Sequence, residues 1–324
     1  MAATEPALVA GGLSRGTDDP ADRALLEGDR AYFDDDLKSA RTAYQKAAQL
    51  RPKDPAARVG LVRVELAESG VPTDYAAAPK NQKVLGLLQK LERLRTSDPD
   101  HGPTELERGR VLLILGRAEP ALAALTRALE LSPSDPEAHS ALGVALLATG
   151  KVADSLPRFR RAAELDASSA DRFRNLGTAE LLLGNVQGAI TSYRKAVALA
   201  PGDPRAHSDL GTAFLAANAV EQALPELSRA VELDPNRATF RSNLAYCALL
   251  AGNLDTAERE ANEALRLDAK LGSGWLNLGT VQARRGRYDD AERSYRKALA
   301  LDASDPRAKA SLDELREIRR DSGR

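Results

Sequence analysis

A chain of 324 residues exceeds one ordinary core and points to two domains or an array of repeats, and 43% hydrophobic residues can build a substantial interior. Aromatics contribute only 4%, and the alanine and leucine that dominate the apolar fraction suit close-packed helices better than sheets. A formal net charge of -1 argues against a nucleic-acid protein, which normally carries a net basic face, the single Cys247 excludes an internal disulfide framework and a cysteine-based zinc site, and no apolar run reaches the ~18 residues of a membrane span.

Residues 1–20 are rich in Gly, Ala, Thr and Asp without helical periodicity and read as a flexible leader. They show no basic head followed by an apolar stretch, so the cytoplasm is the expected compartment, with the periplasm as the alternative if a leader has been removed. From residue 21 the chain repeats itself. Leu142-Gly143, Gly150, Ser155, Phe159, Ala162 and Leu165 recur 34 places later as Leu176-Gly177, Gly184, Ala189, Tyr193, Ala196 and Leu199. That period marks stacked helix pairs. With the Leu-Gly pair at positions 7 and 8, the repeats run 21–54, 55–101, 102–135, 136–169, 170–203, 204–237, 238–271 and 272–305, seven of 34 residues and one of 47.

The residue types fit that geometry. Small residues at positions 8, 20 and 27 let two helices approach, and a large residue at 24 fills the space between them. Gly116, Gly150, Gly184, Gly252 and Gly286 stand where the first helix must stop in a left-handed residue. Asp-Pro pairs at 54–55, 135–136, 203–204 and 305–306 join a capping carboxylate to a residue suited to the first helical turn. In the second repeat, 13 extra residues separate a first helix near Ala56–Glu68 from a second helix through Leu87, Leu91 and Leu94. They form either a tolerated surface loop or an accessory binding loop anchored by Tyr75. Residues 306–324 hold a helix with Leu312, Leu315 and Ile318 on one face, expected to cap the last repeat, and a short tail.

This pattern resembles the tetratricopeptide repeat family over residues 21–305. The last repeat matches its consensus as Trp275, Leu278, Gly279, Ala291, Tyr295 and Ala298, and the first as Gly28, Ala40, Tyr44, Ala47 and Pro52. Departures are Glu180 and Gln282 at position 11 and Ala167, Ala269 and Ala303 at position 32. The resemblance implies an all-α fold: a right-handed superhelical α-solenoid of helix-turn-helix repeats with a C-terminal capping helix. It also implies that the first helices line a concave face through positions 2, 5, 6, 9 and 12.

Position 6 of four successive repeats reads Asn175, Asp209, Asn243 and Asn277. Repeated side-chain amides can bond the backbone of an extended peptide whatever its side chains are. The row is similar to the asparagine ladder in the repeat domain of O-linked N-acetylglucosamine transferases, with Asp209 as the departure; the plainer alternative is a merely solvated face. Arg174, Thr178, Ser208, Thr212, Ser242, Tyr246 and Thr280 surround it as a polar wall. The N-terminal half reads as an apolar groove of Leu25, Tyr32, Val59, Leu66, Leu106, Leu113, Val144 and Leu147, interrupted by Asp29, Arg63 and Arg110, or as ordinary core if the phase is one position off. The Lys/Asn/Asn/Lys/Arg set of carboxylate-clamp relatives cannot be assembled in any three repeats.

His139 and His207 occupy position 4, where neighbouring repeats have Phe173 and Trp275, and read as packing residues. No acidic or cysteine cluster joins them, and no phosphate loop or nucleophile elbow is present, so neither metal, cofactor nor catalytic residue is expected. The expected function is a non-enzymatic scaffold holding an extended or helical segment of a partner protein. The alternatives are a repeat arm of an enzyme, a self-assembling coat, and a periplasmic assembly factor for secretion or pili. Eight acids and two arginines over 18–36, against six bases and three acids over 284–297, allow head-to-tail stacking into homo-oligomers. The Arg- and Ala-rich composition suggests a bacterium of high G+C content.

Overall fold

The computed structural model describes residues 11–322, and the first half of the expected leader, 1–10, lies outside them. Among the described residues there are seventeen helices and no strand, an all-α helical-repeat solenoid in class. They fall into two compact units divided at 183/184. Unit 1 holds α1 (Pro20–Phe33), α2 (Leu37–Leu50), α3 (Ala56–Glu68), α4 (Gln82–Ser97), α5 (Gly102–Ile114), α6 (Ala118–Leu131), α7 (Pro136–Ala148), α8 (Val152–Leu165) and α9 (Ala170–Leu182). Unit 2 holds α10 (Val186–Leu199), α11 (Pro204–Ala216), α12 (Val220–Leu233), α13 (Ala238–Leu250), α14 (Leu254–Leu267), α15 (Gly272–Arg284), α16 (Tyr288–Leu301) and α17 (Pro306–Ser322).

Local chemistry sets the helix ends. Asp135 accepts from the Glu137 and Ala138 N–H groups, and Asp203 from that of Arg205, each just ahead of a proline in the first turn. First helices end in a left-handed residue at position 15: Gly116, Gly150, Gly252 and Gly286 have φ of 72°, 76°, 77° and 74°. Asp35 (φ 59°) and Asn218 (φ 57°) occupy the same position without being glycine. Short polar side chains tolerate that conformation better than other L-residues do.

Among the described residues, five helix pairs within the units close on the contact between positions 8 and 24. A Cβ on Gly143 would lie 2.5 Å from the Phe159 ring, and one on Gly279 would lie 2.6 Å from Tyr295. Glycine there is a packing requirement. In unit 1, α1, α3, α5, α7 and α9 approach closely in succession, and in unit 2 α11, α13, α15 and α17 do, whereas among the described residues the backbones of successive second helices stay farther apart. The first helices are therefore the inner row within each unit. In unit 2 the row ends under α17, whose Ala308, Leu312 and Leu315 pack with Leu276 and Tyr295; Ile318, expected on the same face, stays exposed.

One expectation is corrected. Residues 11–19 are not a free leader. The Leu13 and Ser14 N–H groups bond Asp29 Oδ2 at 2.7 and 2.9 Å, the Arg15 and Thr17 N–H groups bond Asp22 at 2.9 and 2.7 Å, and Leu13 is 4% exposed. Burial of one leucine and four paired N–H groups outweighs the disorder that the composition favours. The insertion between α3 and α4, expected as a tolerated surface loop or as an accessory binding loop with Tyr75, is docked through its backbone. The Ala76 and Ala78 N–H groups donate to the Leu113 and Ile114 carbonyls at 2.9 and 3.0 Å, so the loop satisfies the end of α5. Tyr75 is 43% exposed, and its hydroxyl only approaches the Gly116 carbonyl at 3.4 Å.

Candidate functional site

Of the expected groove residues, Arg174, Asn175 and Thr178 lie on α9 of unit 1. Ser208, Asp209 and Thr212 lie on α11, Ser242, Asn243 and Tyr246 on α13, and Asn277 on α15, all in unit 2. The asparagines meet a partner that the sequence reading did not assign. Asn175 Nδ2 donates to Ser140 Oγ at 3.1 Å, Asn243 Nδ2 to Ser208 Oγ at 3.2 Å, and Asn277 Nδ2 to Ser242 Oγ at 3.2 Å and to the Ser242 carbonyl at 2.8 Å. Each bond runs from position 6 to position 5 of the preceding repeat, a constant separation of 35. The ladder thus fastens one repeat to the last, and the repeated serine 35 residues upstream was the available signal.

This engagement divides the candidates. Ser208 and Ser242 are buried and Asn277 is 6% exposed, so these three act between repeats. Thr178, Thr212 and Thr280 direct their hydroxyls at the carbonyls of Arg174, Ser208 and Leu276, four residues back on their own helices. The face that remains accessible in unit 2 centres on α13. Asn243, Tyr246 and Leu250 follow at intervals of three and four and share one face, with Tyr246 47% and Leu250 41% exposed. Thr212 and Ala216 on α11 flank it, as do Thr280 and Arg284 on α15, where the Arg284 guanidinium donates to the Leu249 carbonyl at 2.7 Å.

Unit 1 presents the opposite surface. Leu25, Val59, Leu66, Leu106 and Leu113, read from sequence as an apolar groove, are buried, and Leu13 joins their cluster. Among them sits a buried ionic group: Arg63 Nε donates to Glu107 Oε1 at 2.7 Å, and Arg110 Nη1 approaches the same oxygen at 3.4 Å. Burial opposes the charge on Glu107, but Arg110 and Arg63 outweigh it and hold the carboxyl below the usual range. Burial, and then the Asp29 carboxylate beside it, push the Tyr44 hydroxyl well up, while that hydroxyl donates to Asp29 Oδ1 at 2.9 Å. Glu107 was not singled out by the sequence reading, since a glutamate on a helix is normally a solvated one.

The position-4 histidines are buried, and they have a shared task beyond packing. His139 Nε2 donates to the Pro133 carbonyl and His207 Nε2 to that of Pro201, both at 3.0 Å. Arg58, Arg241 and Trp275 do the same at position 4 of their repeats, to Pro52, Pro235 and Ala269, at 2.6, 2.8 and 2.9 Å. Every acceptor is the carbonyl at position 32 of the preceding repeat. The terminal charges are also engaged. Asp22 and Asp29 are buried at one end. At the other, Arg285 and Arg287 pair with Glu258, and Arg319 with Glu292. Among the described residues no group of three or more His, Cys, Asp or Glu could hold a metal ion, and no helix is long and apolar enough to cross a membrane.

Family models described as tetratricopeptide repeat match residues 141–204, 208–271 and 272–305, and one described as TPR repeat matches 109–150, together more than half of the chain. No curated protein matches the sequence at a significant level. Among solved structures, the chain is similar to one from the Cut9–Hcn1 hetero-tetramer of the APC/C, at 17% identity and a TM-score of 0.71 over 91% of this chain. It spans 55% of the length of that relative. It is also similar to pilF of Pseudomonas aeruginosa, at 19% identity and a TM-score of 0.57, covering 67% of this chain and 98% of that one. At these identities the likeness is one of fold.

Proposed function

The chain belongs to the tetratricopeptide repeat family, whose fold generally mediates protein–protein interaction, and from that premise we propose that it is a non-enzymatic scaffold binding an extended segment of a partner protein on the α13 face of unit 2. The observation that carries this reading is the row Asn243, Tyr246 and Leu250. Two large apolar side chains stay exposed on the inner helix row, where burial would be expected, beside an amide with one N–H already fixed by Ser208. Tyr246 offers a rigid, amphipathic contact area, and the remaining N–H and the oxygen of Asn243 match a peptide unit. Thr212 and Arg284 border the strip. Binding by several such modest contacts suits a preformed surface that loses little entropy on association. Cytoplasmic residence goes with this reading, and cell fractionation tests it.

Selection of a displayed random-peptide library on the full-length protein tests the site. The expected result is enrichment of sequences with an aromatic or aliphatic residue, whose affinity falls about tenfold or more in Tyr246→Ala or Leu250→Ser. Peptides that bind Tyr246→Ala as tightly as wild type would remove α13 from the site. A library that yields no enrichment would overturn peptide capture.

A further inference from the structure

The inner face of unit 1 is already occupied, and its occupant is the chain itself. Residues 11–17 lie along α1 and α3 with their backbone read as a bound peptide's would be. Asp29 takes the N–H groups of Leu13 and Ser14, and Asp22, seven residues earlier on the same face of α1, takes those of Arg15 and Thr17. Arg63, itself fixed by Glu107, donates to the Gly11 carbonyl at 2.9 Å. The Leu13 side chain enters the cluster that contains Leu25, Val59 and Leu106, and Ser14 Oγ donates to Asp22 at 3.1 Å. Gly11 has φ 73°, and a Cβ there would come within 2.9 Å of the Glu137 side chain. Glu137 also borders a cavity of about 150 Å³ walled by Leu66, Arg110, Leu113, Val144 and Thr73 of the insertion loop.

Two carboxylates for main-chain N–H groups, a guanidinium for a carbonyl, one leucine pocket and one glycine-only position make a reading frame for a peptide segment that turns at Gly11 and Gly16. We infer that this face of unit 1 is a second peptide-binding site, independent of the α13 surface, which takes segments of the type Gly-x-Leu-Ser and is held in cis by residues 11–17 until a partner's segment of that chemistry displaces them. Backbone capture alone would accept any extended chain, whereas the glycine position, the leucine pocket and the Ser14–Asp22 bond select one. Because the cis segment fills the site, a segment in trans binds with an affinity reduced by the fraction of molecules that are open.

The test uses the full-length protein and a fluorescent synthetic peptide of residues 10–18. Leu13→Asp in the protein weakens its own segment, so the peptide is expected to bind this variant about tenfold or more tighter than wild type. The same peptide carrying Leu13→Asp is expected to bind neither. Equal binding of the two peptides, or no gain in the protein variant, would overturn the proposal. Amide hydrogen exchange on wild type covers the case of a variant that folds poorly. Excess peptide should speed exchange at Leu13, Ser14, Arg15 and Thr17 about tenfold, and unchanged protection would mean a fixed structural cap, with no exchangeable ligand.

Discussion

The inner rows of the two units are built from the same repeat but solve different problems. In unit 1, Arg63, Glu107 and Asp29 are withdrawn from water, and Leu13 covers the apolar floor. In unit 2 the corresponding row keeps Tyr246 and Leu250 in solvent, and the Asn–Ser bonds between its repeats are neutral, as is the Asn175–Ser140 bond of unit 1. A buried charge tolerates no missing partner, whereas a half-exposed amide can turn to water. Loss of a single polar partner should therefore cost more in the first row than in the second.

The sharpest way to break this contrast is to remove one charge. Glu107→Ala leaves Arg63 buried beside a vacancy and is expected to cost about 3–5 kcal/mol in denaturant unfolding. Asn243→Ala, which removes a partly exposed neutral bond, is expected to cost about 1 kcal/mol. Similar losses from the two variants would mean that the unit 1 cluster is hydrated. The packing beneath both rows is alike, so Gly143→Ala in unit 1 and Gly279→Ala in unit 2 should each cost about 1–3 kcal/mol by forcing a Cβ into an aromatic ring. A large difference between them would show that the units are not equivalent below the surface.

The pH response should sort the units further. Burial lowers the affinity of His101 and His139, both in unit 1, for a proton. His101 Nδ1 accepts the Thr104 N–H as the cap of α5, a task for the neutral ring. A histidine whose folded pKa lies below its unfolded value of 6.5 contributes stability above that pH and loses it as the pH falls through and below it. Between pH 7.5 and 5.5 the protein should thus lose stability, by at most about 1.4 kcal/mol per pH unit for each ring. His101→Asn, which preserves a cap acceptor, should flatten the slope; an unchanged slope would exclude His101 as a source. The smallest effect is expected at Tyr246→Ala, whose unfolding should stay within about 0.5 kcal/mol of wild type because the ring is half in solvent.

The helix pairs could be read from the sequence because glycine at 8, a large residue at 24 and glycine at 15 recur at one period, and each has a single steric reason. Asp35 and Asn218 escaped that reading, since they adopt the same left-handed turn without being glycine. Residues 11–17 escaped it as well. Their composition is that of a disordered stretch, and the forces that order them belong to Asp22, Asp29 and Arg63, which look like surface charges until the fold places them. The apolar row of unit 1 was visible as residues but not as covered ones. For the asparagines, type and spacing were legible. Their engagement was not, because it depends on a serine in the preceding repeat.

The donor at position 4 has a consequence for how such arrays vary. What that site demands is an N–H at a set reach from the carbonyl at position 32, and Arg58, His139, Arg241 and Trp275 meet the demand with no common shape, charge or hydropathy. Scored by residue similarity it would look unconstrained. In operation each junction can be given its own character: a guanidinium or an indole carries its N–H at any physiological pH, while His139 and His207 place a titratable ring at two of the junctions.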